Sequence, residues 1–291
     1  MTSVWLSFAL VAYFFNSIAF VIDKYLLSAA IPRPFAYAFW VAILSLAVVV
    51  FIPFGVQIPD LSYLVIAFIS GGTFFVGLIY LYRAIRKTNV SIASTQVSVM
   101  SVAFAYGLSV FLLGGSFFVV DLVAFAVVIL GILLVGKTGQ RVWREAFIGG
   151  MLFGVSLVTL KMSFDLSNFV NGFFWTRVGF IGSALITLPF SSARKEVLGS
   201  YVRTHINHKF LFILSKVIAG LGFLLLDLAI QLGNVALVNA LLGIQFTFIF
   251  TLSLVLGGRV PALAEDTAFP ALVRKFSGIA LVVVGIIILF R

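Results

Sequence analysis

The feature that most constrains this chain is a succession of apolar runs, each long enough to cross a bilayer, joined by connections too short to hold a soluble domain. A helical crossing takes about 20 mostly apolar residues, because the hydrocarbon core is about 30 Å thick. Segmenting on that length predicts spans near 4–26, 35–54, 62–82, 92–112, 118–136, 147–167, 171–190, 208–230, 235–256 and 274–290. With 63% hydrophobic and 10% charged residues, the chain could not cover a surface in water with polar groups. A mean hydropathy of +1.24 agrees. The expected fold class is therefore an all-α integral membrane protein with ten transmembrane helices.

Span one has no basic residues ahead of it and Asp23-Lys24 stand at its end, so it reads as a retained helix and not as a cleaved leader. The chain has no cysteine, which excludes disulfides, thiolate metal sites and cysteine nucleophiles. Its net charge of +10 lies almost wholly on alternate connections, from Arg33 through Arg83, Arg86 and Lys87 to Arg274 and Lys275. The opposite side carries only Arg291. Lys and Arg near span ends stay on the cytoplasmic side, which predicts a multi-pass plasma (inner) membrane protein with basic loops inside and both termini outside. Topology accounts for this charge without nucleic acid, and an anionic-lipid patch along the loops is the other reading. The longest connections, 191–207 and 257–273, are rich in turn formers and charge.

The second half echoes the first. LYRAIRKTNVS at 81–91 returns as LDLAIQLGNVA at 226–236, with Ala84-Ile85 and Asn89-Val90 kept and Arg86-Lys87 replaced by Gln231-Leu232. Phe39-Trp40 ahead of Pro53-Phe54 returns as Phe174-Trp175 ahead of Pro189-Phe190. Lys24 pairs with Lys161, Gly77 with Gly222, and AVVILGILL in span five with ALVVVGIIIL in span ten. The order of these matches divides one membrane domain into a first five-helix repeat, 1–138, and a second, 146–291. Five is odd, so the second copy enters the membrane inverted, as in secondary transporters whose site lies at the midplane between repeats.

Two halves of five spans, the AIRKTNVSIAS turn with its partner AIQLGNVALVNA, and the following LLGG and LGG resemble the drug/metabolite transporter (DMT) superfamily, EamA type. The resemblance covers essentially the whole chain through loose patterns of Ala, Gly and Asn. It implies a permease that exports or exchanges small solutes such as amino acids, with spans one, three, four, six, eight and nine around the cavity. Where many members carry a Glu at the end of span four, this chain has Gly114-Gly115, and Gly257-Gly258 at the end of span nine. Span one has no Glu, unlike the small multidrug relatives.

Ionisable groups inside spans are costly and usually face a cavity or a partner. Lys216 is the deepest and would favour an anionic or zwitterionic solute, with a structural ion pair or a snorkelling stem as the plainer reading. Lys24 and Lys161, as repeat partners near opposite faces, are candidate gates, and snorkelling to the two headgroup layers explains them equally. Arg177 and Asp227 share a depth and are further gate candidates. Asp23 and Lys24 point about 100° apart on a helix, which makes them poor partners for each other. Among uncharged residues, Tyr13 and Asn16 share one face of span one. Asn16, Gln96, Asn239 and Gln245 carry amides hard to satisfy within their own helix, and with Tyr13 and Tyr106 they complete the cavity candidates.

His205 and His208 have no thiol or acid cluster nearby, so no metal is expected. No nucleophile elbow, phosphate-binding loop or paired intramembrane carboxylates occur, so neither an enzyme nor a cofactor is expected. The resulting expectation is a secondary transporter of a small polar organic metabolite such as an amino acid, working by alternating access with any coupling ion undetermined. A lipid or lipid-linked sugar flippase, and a receptor or scaffold without flux, are the alternatives. The topology has its own check: a cytoplasm-specific reporter fused after Arg291 is expected to stay silent.

Overall fold

A computed structural model describes residues 4–113, 119–136, 142–232 and 241–289, and every regular element among them is helical. In chain order these are α1 (Val4–Tyr25), α2 (Pro34–Leu44), α3 (Leu61–Lys87), α4 (Val90–Leu113), α5 (Val119–Gly136), α6 (Trp143–Leu166), α7 (Phe169–Leu185), α8 (Ser191–Arg203), α9 (Ile206–Leu232), α10 (Leu242–Gly257) and α11 (Phe269–Leu289). A π-turn carries α1 on to Ala30, and a tighter 3₁₀ stretch, Ser45–Phe54, extends α2. Seven of these helices are long and apolar enough to cross a bilayer: α1, α2 with its extension, α3, α4, α6, α9 and α11. Segments within α5 and α10 are apolar but shorter, and α7 has 17 residues. Each predicted span overlaps one of these helices, although 186–190 runs past α7 and 118, 235–240 and 290 lie outside the described residues.

Helix α8 occupies a stretch expected to be a connection. It is polar enough to escape a hydropathy reading, yet it turns Val197 and Ser200 inward against α2. Local chemistry fixes the other ends. The Asp60 carboxylate accepts the Tyr63 amide at 2.9 Å and caps α3, and Asn168 caps α7 through the Asn171 amide at the same distance. Gly55, at φ 93°, ends the α2 extension in a left-handed turn that other residues adopt at a cost.

Between membrane helices there is no hydrophobic drive, so close packing and small residues hold them together. Helix α3 packs along α6 and α7, α1 along α9 and α10, α4 along α6, and α5 along α11. Where α5 meets α11, a Cβ added at Gly131 would stand 2.7 Å from the Gly278 carbonyl oxygen, and one at Gly278 would stand 2.7 Å from that of Gly131. Farther along the same seam, a Cβ added at Gly285 would stand 3.0 Å from the Ala124 carbonyl oxygen. Numbers rise on one helix as they fall on the other, so the two run antiparallel.

Other contacts recur in matched form. The Ser215 hydroxyl of α9 reaches the Ala19 carbonyl of α1 at 3.5 Å, and the Ser70 hydroxyl of α3 donates to the Ser156 carbonyl of α6 at 2.9 Å. Gly222 makes room for Asn16, whose Oδ1 a Cβ there would meet at 2.7 Å, and Gly77 makes room for Phe153, whose ring it would meet at 3.1 Å. The alignment that pairs Lys24 with Lys161 and Gly77 with Gly222 also pairs Ala19 with Ser156, Asn16 with Phe153 and Ser70 with Ser215.

Replacing Gly278 by Leu must push α5 from α11, and a loss of about 1–3 kcal/mol is expected, as for other overpacked interiors. Gly220, with nothing within 4 Å of an added Cβ, is the control. Thermal unfolding in detergent should show a lowered midpoint for Gly278→Leu and none for Gly220→Ala.

Candidate functional site

The densest polar chemistry of the described residues lies at one end of the bundle, where α1 and α3 finish and α4, α6 and α9 begin. Asp23 stands about 10 Å short of Ala30, and Lys216 about 15 Å past the start of α9, at about 1.5 Å of rise per residue. Because α1 and α9 run antiparallel, those distances bring the two side chains to a common depth. The Lys216 ammonium donates to both Asp23 oxygens, at 2.7 and 2.6 Å. The same carboxylate accepts the Tyr37 hydroxyl at 2.6 Å and the Ser215 hydroxyl at 3.0 Å. Side-chain exposure is only 10% for Lys216 and 7% for Asp23, so the pair is withdrawn from solvent.

Aromatic rings enclose the ammonium. It stands 5.1 Å from the Tyr37 ring centre, 5.6 Å from Tyr82 and 5.7 Å from Phe212. Tyr37 meets Tyr82 and Phe212 edge to face at 4.7 and 4.8 Å, which locks the box. A cation so placed gains from the ring faces as well as from its counterion.

A second cluster sits on the α3–α4 turn, the KTNVS of the repeated motif. Thr88 and Asn89 alone separate the two helices. The Lys24 ammonium donates to the carbonyls of Ile85 and Thr88, both at 2.8 Å. It thereby supplies positive charge where the α3 dipole ends negative. On the other side of the turn, the Glu265 carboxylate accepts the Asn89 amide and the Ser91 hydroxyl, the latter at 2.7 Å, at the positive start of α4. Glu265 is also paired with Lys275 of α11, and both side chains are 1% exposed. One short turn is thus held between a cation from α1 and an anion from the α10–α11 connection. Lys87 completes the shell through an ion pair with Glu145 of α6.

Of the predicted site residues, Lys216 has a partner in Asp23, as just described. Lys24 is buried as the cap of α3, whereas Lys161 is exposed and pairs with Asp165 on its own helix. Arg177 lays its guanidinium over Phe173, Phe74 and Phe223, at 5.0, 5.4 and 6.0 Å. Asp227 lies on α9, and its side chain, like all of Asn239, is outside what is described. Tyr13, Asn16, Gln96 and Gln245 are buried, and Ser17 joins α1 to α10 by donating to the Gln245 carbonyl at 3.1 Å. The Gln96 Oε1 is buried without a hydrogen-bond donor among the described residues. Tyr106 packs edge to face on Phe125 at 5.7 Å.

Sequence reasoning missed two things here: that Asp23 is the counterion of Lys216, and that Glu265 matters. Equal depth of opposite charges on antiparallel spans was a usable signal for the first. Glu265 sits in a connection rich in charge and gave none. Two clefts, of about 520 and 370 Å³, open at this same end, one between α8 and the α2 start and the other beside Arg83, Arg144 and Glu145. No protein-family model matches the chain, and no curated protein matches it.

Removing one member of a buried pair strands the other, at about 3–5 kcal/mol. Asp23→Asn is therefore expected to lower the unfolding midpoint sharply. The double variant Asp23→Leu/Lys216→Met, which removes both charges, should recover most of that loss in the same thermal measurement.

Proposed function

We propose that the chain is a secondary transporter of a small polar organic solute, built from two inverted five-helix repeats of the EamA type. The observation that carries this reading is the matched packing: α1 on α9 repeats as α6 on α3, through corresponding serine and glycine contacts. The antiparallel seam of α5 and α11 exchanges Gly131–Gly278 for Gly285–Ala124, as an axis in the membrane plane requires. Two like halves that pack equivalently can rock about a fixed centre at little cost, and that is the physical basis of alternating access.

The proposed site lies between α1, α4, α9 and α10, with Asn16, Gln96 and Gln245 as its polar lining and Tyr13 beside them. An interior of amides and hydroxyls suits a solute that carries hydrogen-bonding groups. Lys216 and Asp23 offer both charges side by side, which favours a zwitterion or an anion. In the conformation described, Lys24, Glu265, Lys275 and the Asp23–Lys216 pair tie α1, α3, α4, α9 and α11 together at the basic end. We take that end as cytoplasmic and the state as closed toward it, with the plasma membrane as the location.

Flux into liposomes tests the reading. Protein reconstituted with radiolabelled amino acids, sugars and nucleotides should move at least one class well above empty vesicles. Lys216→Ala should lower that flux about tenfold, the equivalent of about 1.4 kcal/mol in the rate or binding step it serves. If nothing moves and the variant alters no export from cells, the transporter reading fails.

A further inference from the structure

We propose that the cleft between α8, the start of α2 and the end of α3 binds the phosphate headgroup of an anionic phospholipid. Four cations line it, Arg33 and Arg86 on the helix-bundle wall and Lys195 and Arg203 on α8, against the single carboxylate of Glu196. Its volume of about 520 Å³ suits a headgroup rather than an ion. Retention of positive charge on one side of a membrane explains why basic residues lie near span ends. It does not explain why four of them converge on one opening, where their mutual repulsion needs an anion to offset it.

The two arginines are set for this work. Arg86 spends one donor on the Pro32 carbonyl at 2.7 Å, and Arg33 spends one on the Glu196 carbonyl at 3.4 Å. Each contact fixes a guanidinium at the rim, and each guanidinium has five N–H donors in a fork that matches phosphate.

The source of the phosphate follows from α8, whose 13 residues present three faces. Val197 and Ser200 point into the protein, Ser192, Lys195 and Arg203 line the cleft, and Leu198, Tyr201 and Val202 are exposed on the third side with Arg194 among them. Val202 is 79% exposed and Phe190, just ahead of the helix, 66%. A helix with a basic face and an uncovered apolar face lies in the plane of a membrane interface, its apolar side among acyl chains. Tyr201 completes the interfacial set, 5.3 Å from the Trp40 ring and capped by the Lys209 ammonium at 3.6 Å. The cleft therefore opens at headgroup level.

Native mass spectrometry of the detergent-purified full chain, titrated with phosphatidylglycerol or phosphatidylcholine, tests this. The wild type should retain phosphatidylglycerol preferentially. The pair Arg33→Gln/Lys195→Gln should lose about fivefold in retention for each cation removed, the worth of one basic residue at an anionic surface. Arg33→Lys/Lys195→Arg should keep most of it, and Arg144→Gln/Arg259→Gln, two exposed cations away from α8 and the cleft, should change nothing. Equal retention of the two lipids by the wild type would overturn the proposal even if the Gln pair does not fold, as would an equal loss in the control pair. Displacement of the lipid by inorganic phosphate at matched concentration would assign the cleft to a soluble phosphorylated ligand instead, and so overturn it too.

Discussion

A charge in an apolar interior must have a partner, and much of this structure follows from how each buried charge finds one. Isolated ions taken out of water cost several kcal/mol each even after relaxation. Asp23 and Lys216 therefore fix the register of α1 against α9: a slip of one turn along either helix would part the ammonium from the carboxylate and from the Tyr37 and Ser215 hydroxyls. The aromatic box of Tyr37, Tyr82 and Phe212 then fixes α2 and α3 against the same pair. One ion pair sets the relation of four helices.

The second use of charge is at helix ends, which in a membrane protein cannot all be left to water. The α3–α4 turn has its carbonyl end met by Lys24 and its amide end by Glu265, so each charge answers the dipole as well as an unpaired backbone group. Lys275 neutralises the remainder of Glu265. This accounts for the strict shortness of the turn: with only Thr88 and Asn89 between helices, both termini lie within reach of one compact cluster.

Much of the fold was legible because hydropathy and length are properties of contiguous sequence. Runs such as 62–82 and 147–167 marked α3 and α6 to within a few residues. The boundary errors have causes: α3 runs on to Lys87 and α11 begins early at Phe269, since polar ends of a helix leave the hydrocarbon while remaining helical. Helix α8 was hidden because its amphipathic pattern is short and its charge density is that of a loop. In the site, Lys216 stood out through depth alone. Its partner did not, because Asp23 is near the end of its own span and only the antiparallel packing of α1 on α9 reveals the shared depth. Glu265 was invisible for a similar reason, since its burial depends on α4 and α11 closing over a connection.

The places where the sequence echo breaks are informative too. The alignment that matches Ser70 with Ser215 puts Gly71 where the second half has Lys216, and the one that matches Lys24 with Lys161 puts Leu160 opposite Asp23. Gly71 is no vacant position: a Cβ there would run into the backbone of Thr176 and Phe180, so α7 packs against backbone at a place where α9 carries a lysine stem. The two ends of the bundle thus share helix packing and differ in the charges that hold them. The basic end is held by buried ion pairs that open only if their charges find new partners, whereas Lys161 and Asp165 at the other end pair in the open on a single helix. The buried ion pairs are thus gathered at the basic end, where parting either partner would strand a charge away from water at a cost of several kcal/mol.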